Sequence, residues 1–200
     1  MKYLKSINEI RKYKLSQPTE DFSKYITTGC NSFFCAIADI DSAIGDGFNQ
    51  FPNERTSTQG VLNAMIGELI VDVKITRDKG EMLFVVESSG CYELYVFYHE
   101  QDCCESVYVE DISGSLDDLI DNVIIKASEE TNNNNPGNKY ESVTWTFYKL
   151  ATKDGYITIR WCGNSNGYYS ESVKAVKYNH EYTRDELELL YISMKENINY

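Results

Sequence analysis

The residue types that most often perform catalysis concentrate in one short stretch, which contains His99, Asp102, Cys103, Cys104 and Glu105. Paired carboxylates can serve as general acid and base, and a thiol can serve as nucleophile when a base lies within hydrogen-bond reach. With Arg160 as an anion clamp, Asp102 and Glu105 would form the site of an uncharacterised enzyme. The alternative is that both carboxylates accept backbone N–H bonds in a tight turn. The sequence has no G-x-S-x-G, H-E-x-x-H or phosphate-loop motif, and it favours a protein that is not an enzyme.

The six cysteines are the other residues that could support chemistry: Cys30, Cys35, Cys91, Cys103, Cys104 and Cys162. A reducing cytoplasm disfavours disulfides, so thiols are expected. Adjacent cysteines on a strand point to opposite faces, and the spacing of Cys30 and Cys35 differs from the C-x2-C pairs of structural zinc sites. The sequence therefore predicts no metal and no cofactor.

Negative charge is concentrated in the middle of the chain. The 200 residues carry 31 acidic and 19 basic side chains, a net charge of −12, and residues 81–130 hold 13 acidic residues against Lys126 alone. Because attraction to phosphates dominates nucleic-acid affinity, this balance argues against direct nucleic-acid binding and predicts a protein with a basic surface as the partner. The predicted partner-binding residues are Glu100, Asp102, Glu105, Glu110, Asp111, Asp117 and Asp118. A plainer interpretation is that the acidic residues keep the domain dispersed.

A small-ligand site is an alternative to a protein interface. A polar sheet face could hold a nucleotide, with a charge-assisted contact from Arg160 and an anion nest in the Gly163–Gly167 turn. The candidate ligand-binding residues are Thr144, Tyr148, Arg160, Asn166 and Tyr168. An exposed strand face with alternating Thr and Tyr is equally typical of a solvated surface.

The chain divides near residue 60. Residues 1–60 are predicted to form an irregular, partly helical N-terminal appendage, with one short helix over residues 6–15 that Ser6 caps. The longest apolar stretch, Val61–Val73, is interrupted by polar residues and is too short for a membrane span. The N-terminus lacks the apolar segment of a signal peptide, so a cytoplasmic location is expected. The oligomeric state is not predicted.

Residues 61–200 form the predicted acidic domain, whose pattern is α+β: one antiparallel β-sheet with a packed C-terminal helix. Val143, Trp145 and Phe147 alternate with polar residues, as do Ile157, Ile159 and Trp161, and Lys153-Asp154-Gly155 predicts the turn between them. The two tryptophans are expected on one apolar face, with threonines, tyrosines and Arg160 on the other. Asn132–Gly137 is expected to be a loop. Thr183 and Glu186 form a capping box that opens the C-terminal helix.

Three motifs carry a resemblance to a known family: Asp102-Cys103-Cys104-Glu105, Thr144-Trp145-Thr146-Phe147-Tyr148, and the segment from Arg160-Trp161-Cys162-Gly163 to Glu171. Residues 65–176 resemble a domain of unknown function found in bacteriophage genomes. The resemblance implies a phage origin and no particular activity. With 16 tyrosines suited to interfaces, the chain is predicted to be an acidic, anti-CRISPR-like inhibitor that mimics nucleic acid and binds a host defence or nucleic-acid-processing enzyme. The alternative is a nucleotide-sequestering module that blocks host immune signalling.

Overall fold

The computed structural model describes residues 29–43, 56–134, 142–195 and 197–199. The helix predicted over residues 6–15 lies outside these ranges. The described residues form three helices: α1 (Phe33–Ala43), α2 (Thr58–Met65) and α3 (Arg184–Met194). They also form ten strands, β1 (Leu69–Thr76), β2 (Glu81–Ser88), β3 (Cys91–Tyr98), β4 (Glu105–Ser113), β5 (Asn122–Val123), β6 (Lys126–Asn134), β7 (Ser142–Ala151), β8 (Tyr156–Ser165), β9 (Lys174–Lys177) and β10 (Ile198–Asn199).

The strands form two antiparallel sheets. Sheet A has the order β10-β1-β2-β3-β9, with β5 beside β1, and sheet B has the order β4-β8-β7-β6. The α+β class is confirmed, but the expectation of a single sheet is wrong. Alternation along the sequence identifies strands and their hairpin neighbours, whereas the pairing of β4 with β8 joins segments about fifty residues apart and leaves no local signal.

Sheet A is the central layer of the fold and is buried on both faces. One face packs against sheet B in a core that includes Phe84 and Phe97 from sheet A and Trp161 from sheet B. The other face packs against α1 and α3 in a core that includes Val85 and Leu190. The middle strands therefore consist of nearly continuous apolar residues, with five consecutive buried positions in each of β1, β2 and β3.

The two tryptophans lie on opposite faces of sheet B, so the prediction that they share an apolar face is wrong. Cross-strand partners share a face, and Thr146 pairs with Trp161 while Trp145 pairs with Cys162. Trp161 is 1% exposed in the core between the sheets, and Trp145 is half-buried on the outward side. The register of the β7–β8 hairpin determines which face of sheet B each side chain occupies. A shift of one residue would move the side chains of a strand to the opposite face.

Two local predictions have different outcomes. The capping box is confirmed, because the Thr183 side chain accepts from the backbone N–H of Glu186 and the Glu186 side chain accepts from that of Thr183. The loop prediction is wrong for Asn132–Asn134, which continue β6 and pair with β7 up to Val143. Pairing along a neighbouring strand has overridden the weak strand propensity of asparagine.

None of the described helices has the length and apolar character needed to cross a bilayer.

Candidate functional site

Glu105 stabilises a turn inside the protein and is not available to a partner, which corrects its assignment to a binding surface. Its side chain is 1% exposed, and its carboxylate accepts from the backbone N–H groups of Asp102 and Cys103. His99 Nε2 lies 3.6 Å from the same carboxylate. Burial opposes the charge, but these hydrogen bonds outweigh it and hold the pKa of Glu105 below its ordinary value. The turn interpretation is confirmed for Glu105.

Arg160 lies far from the two carboxylates with which it could have formed a catalytic site. Glu105 pairs with Ser165 on β8, five residues along the strand from Arg160, which corresponds to about 16 Å. Asp102 is exposed in the turn beside Glu105, and Glu100 makes an ion pair with Lys174. The structure therefore does not bring Asp102, Glu105 and Arg160 together, and it separates the first three predicted partner-binding residues from the remaining four.

Those remaining four form the acidic edge, which we define as Glu110, Asp111, Asp117 and Asp118. Glu110 sits at a bulge in β4, an edge strand of sheet B, and Asp111 pairs with Arg160. The chain then passes Gly114, whose φ of +102° and close approach to the Tyr156 carbonyl exclude a side chain. It next enters a 3-10 helix of one turn, Leu116–Asp118. Asp118 packs against Gly155, five residues before Arg160 in the chain, so the acidic edge is about 16 Å long.

The acidic edge borders the outer face of sheet B, which we define by Tyr108, Trp145, Phe147 and Arg160. All four side chains are half-buried, and the Arg160 guanidinium lies 5.5 Å from the centre of the Trp145 ring. Arg160 Nε also bonds Glu110 at 2.5 Å, and a second guanidinium nitrogen lies 3.8 Å from Asp111. The described helices pack elsewhere, with α1 and α3 on sheet A and α2 against the core between the sheets.

A polar cleft of about 420 Å³ opens at one end of the space between the sheets. It is lined by the inward-facing side chains of β6 and β7 and by the segment after β8: Glu129, Thr131, Asn133, Ser142, Thr144, Thr146, Gly167, Tyr169, Ser170, Glu171, Ser172 and Val173. None of these described lining residues is a lysine, arginine or histidine. The cleft therefore offers hydroxyl groups and carboxylates without a positive counter-charge.

Two carboxylates and one hydroxyl give the polar cleft its binding capacity. Glu129 has no cation within ion-pair distance among the described residues, and burial raises the pKa of its carboxyl. Glu171 is buried and accepts from Ser165 Oγ at 2.6 Å and from Ser142 Oγ at 3.3 Å. Thr146 is 2% exposed, and its side chain lines the cleft. Sequence reasoning missed Glu129 and Glu171, whereas the alternation of Thr144 and Thr146 predicted that both threonines lie on one polar strand face.

The five candidate ligand-binding residues do not form one site. Thr144 lines the polar cleft, but Tyr148 lies in the core, with its ring centre 4.9 Å from that of Phe97. Arg160 is on the outer face, and Asn166 and Tyr168 are exposed in the turn after β8. The arginine that would bind a phosphate is therefore on the opposite side of sheet B from the cleft.

One group of side chains in the described part of the chain could hold a metal ion. It consists of Cys30, Cys35 and Asp39, at the beginning of α1. The two sulfur atoms are 3.2 Å apart. All six cysteines are thiols in this structure.

Comparison with known families supplies one match. A family model described as a domain of unknown function, DUF7448, matches residues 63–175, more than half of the chain. The chain belongs to the DUF7448 family. No curated protein and no solved structure matches the chain. The DUF7448 segment runs from the end of α2 to the beginning of β9, so it contains sheet B, the acidic edge and the polar cleft, whereas α1 and α3 lie outside it.

Proposed function

We propose that this DUF7448 protein is a phage-encoded, non-enzymatic inhibitor that binds a host defence or nucleic-acid-processing enzyme, in the manner of an anti-CRISPR protein. It acts in the host cytoplasm and binds a basic surface of its target without binding nucleic acid itself. The observation that carries this proposal is the outer face of sheet B, which presents aromatic side chains beside the acidic edge.

The composition of this surface suits a protein interface. Tryptophan, tyrosine and arginine are the residue types that most often dominate binding energy, and Tyr108, Trp145 and Arg160 supply all three. Arg160 pairs with Glu110 and Asp111 of the acidic edge, and one guanidinium against four carboxylates leaves the edge a net negative charge. A basic groove that normally holds phosphates would attract this charge over the 16 Å length of the edge, roughly the span of five nucleotides on one strand.

Affinity capture from host lysate tests the proposal. The wild-type protein should recover a partner at low salt and lose most of it when the salt is raised, because ions screen exposed charges. The charge-reversing pair Asp117→Lys and Asp118→Lys should reduce recovery at least tenfold. The matched control is Glu181→Lys with Asp185→Lys, which makes the same change in net charge at two exposed positions, one before α3 and one in its first turn. Equal recovery by both pairs would contradict the proposal.

Small-ligand sequestration is a second candidate function, supported by the polar cleft. Two carboxylates without counter-charge favour a ligand that carries ammonium and hydroxyl groups, and they disfavour the phosphates of a nucleotide. Glucosamine should therefore raise the melting temperature, whereas inorganic phosphate should not. Glu129→Gln should remove the glucosamine effect, and Glu130→Gln, its neighbour on the outward side of β6, should preserve it. Stabilisation by phosphate alone would support the nucleotide alternative over an ammonium ligand.

A further inference from the structure

Three potential metal ligands meet at the beginning of α1. Cys35 and Asp39 are four residues apart in the helix and therefore lie on one face, and Cys30 approaches them from the preceding turn. Cys30 Sγ is 3.2 Å from Cys35 Sγ and 3.7 Å from Asp39 Oδ2. The three ligand atoms all lie within 4.8 Å of one another.

These distances are close to the dimensions of a tetrahedral zinc site. Zinc binds thiolate sulfur at about 2.3 Å and carboxylate oxygen at about 2.0–2.2 Å, so neighbouring ligand atoms around it are roughly 3.5–3.8 Å apart. Two sulfurs on one ion lie at the upper end of this range, so the sulfur pair, at 3.2 Å, is about half an ångström too close and must separate when zinc binds. The distance from Cys30 Sγ to Asp39 Oδ2, 3.7 Å, falls within the range. The two thiolates are soft ligands, and together with one hard carboxylate they favour zinc over magnesium or calcium.

The backbone around the cluster is already held in place. The carbonyl oxygen of Cys30 accepts from Asn197 Nδ2 at 2.9 Å, and the N–H of Gly29 donates to the carbonyl of Ser193 at 3.0 Å. These bonds connect the turn before α1 to the end of α3. Cys30 is buried and Cys35 is exposed, so one side of the cluster is open to solvent.

We propose that Cys30, Cys35 and Asp39 bind one Zn²⁺ ion, with water or an external ligand in the fourth position. Binding forms two Zn–S bonds and one Zn–O bond and releases the two thiol protons to solvent. The ion links α1 to the turn before it, and hydrogen bonds already connect that turn to Ser193 and Asn197 at the end of α3. The site lies outside the matched DUF7448 segment, and it is independent of the proposed function.

Metal titration of the full chain tests this proposal. Protein that has been stripped by a chelator and kept reduced by a phosphine should bind one equivalent of Zn²⁺, and its melting temperature should rise. Co²⁺ should give the charge-transfer absorption of thiolate ligation together with the visible bands of a tetrahedral ion. Cys35→Ser and Asp39→Asn should each weaken Zn²⁺ binding at least tenfold. Both residues are partly or fully exposed, so these variants should fold.

The remaining cysteines provide the controls. Cys91→Ser changes a thiol on β3, and the pair Cys103→Ser and Cys104→Ser removes two thiols whose sulfur atoms are 3.1 Å apart. Both controls should retain full Zn²⁺ binding and the Co²⁺ spectrum. The proposal is overturned if the wild-type protein binds no more Zn²⁺ than Cys35→Ser, or if removal of Cys103 and Cys104 abolishes binding. A Cys30–Cys35 disulfide in protein isolated under reducing conditions would also overturn it.

Discussion

The two sheets differ in how many of their faces the described residues cover. Sheet A is buried between sheet B and the helices α1 and α3, whereas sheet B is covered on its inner side alone. The sequences reflect this difference. The strands of sheet A are nearly continuous apolar runs, such as Met82–Val86, and those of sheet B alternate. Sheet A therefore serves as the scaffold, and sheet B presents the surfaces on which function is proposed.

Truncating one aromatic side chain in each sheet should give the largest contrast. Phe97 is 1% exposed, and its ring centre lies 5.3 Å from that of Phe84 and 4.9 Å from that of Tyr148. Phe97→Ala should lower the free energy of unfolding by about 3–5 kcal/mol. Trp145→Ala on the outer face should cost about 1 kcal/mol or less, because the ring is only half-buried there. Urea unfolding of both variants measures the difference, and equal losses would contradict the assignment of the two sheets.

A smaller effect should distinguish the two sides of sheet B. Burial raises the pKa of Glu129 in the polar cleft, so the folded state binds its proton more tightly than the unfolded state does. The stability of the wild-type protein should therefore be favoured at low pH and should fall as the pH rises from the ordinary pKa of glutamate to the raised value. Glu129→Gln should be more stable than wild type at neutral pH, and this advantage should disappear in acid.

Thermal unfolding across pH 3–8, roughly the range around the ordinary glutamate pKa, measures this effect. Glu130→Gln is the control, since Glu130 pairs with Lys149 on the exposed outer side. If Glu130→Gln shows the same pH-dependent gain as Glu129→Gln, burial in the cleft is not its cause.

Local interactions explain which parts of the fold could be predicted. The capping box of Thr183 and Glu186 spans four residues, and the hairpin turn at Lys153–Gly155 depends on neighbouring strands, so the sequence indicated both. The face occupied by Trp145 was assigned incorrectly because it depends on the register between strands. The loop predicted from composition at Asn132–Asn134 is a strand, because these residues pair with β7.

The candidate sites were less predictable because they combine residues from distant segments. The acidic residues are close together in the sequence, but the fold buries Glu105 at the beginning of β4. The acidic edge lies toward the other end of that strand. The polar cleft joins Glu129 on β6 to Glu171 after β8, and no spacing rule connects them. The cysteine cluster differs from these sites because its three residues lie close together in the sequence. Cys35 and Asp39 have the i, i+4 spacing of one helix face, but a predicted helix at that position was needed before the spacing could be used.

The dissociation constant of the captured partner tests the central claim most directly. Trp145→Ala removes the aromatic ring that lies 5.5 Å from the Arg160 guanidinium on the outer face. Tyr168→Ala removes an aromatic side chain that is 85% exposed beyond the end of β8. With folding verified for both variants, Trp145→Ala should weaken binding at least tenfold, about 1.4 kcal/mol, and Tyr168→Ala should leave it within twofold. Unchanged affinity in Trp145→Ala, or a larger loss in Tyr168→Ala, would contradict the assignment of the outer face as the binding surface.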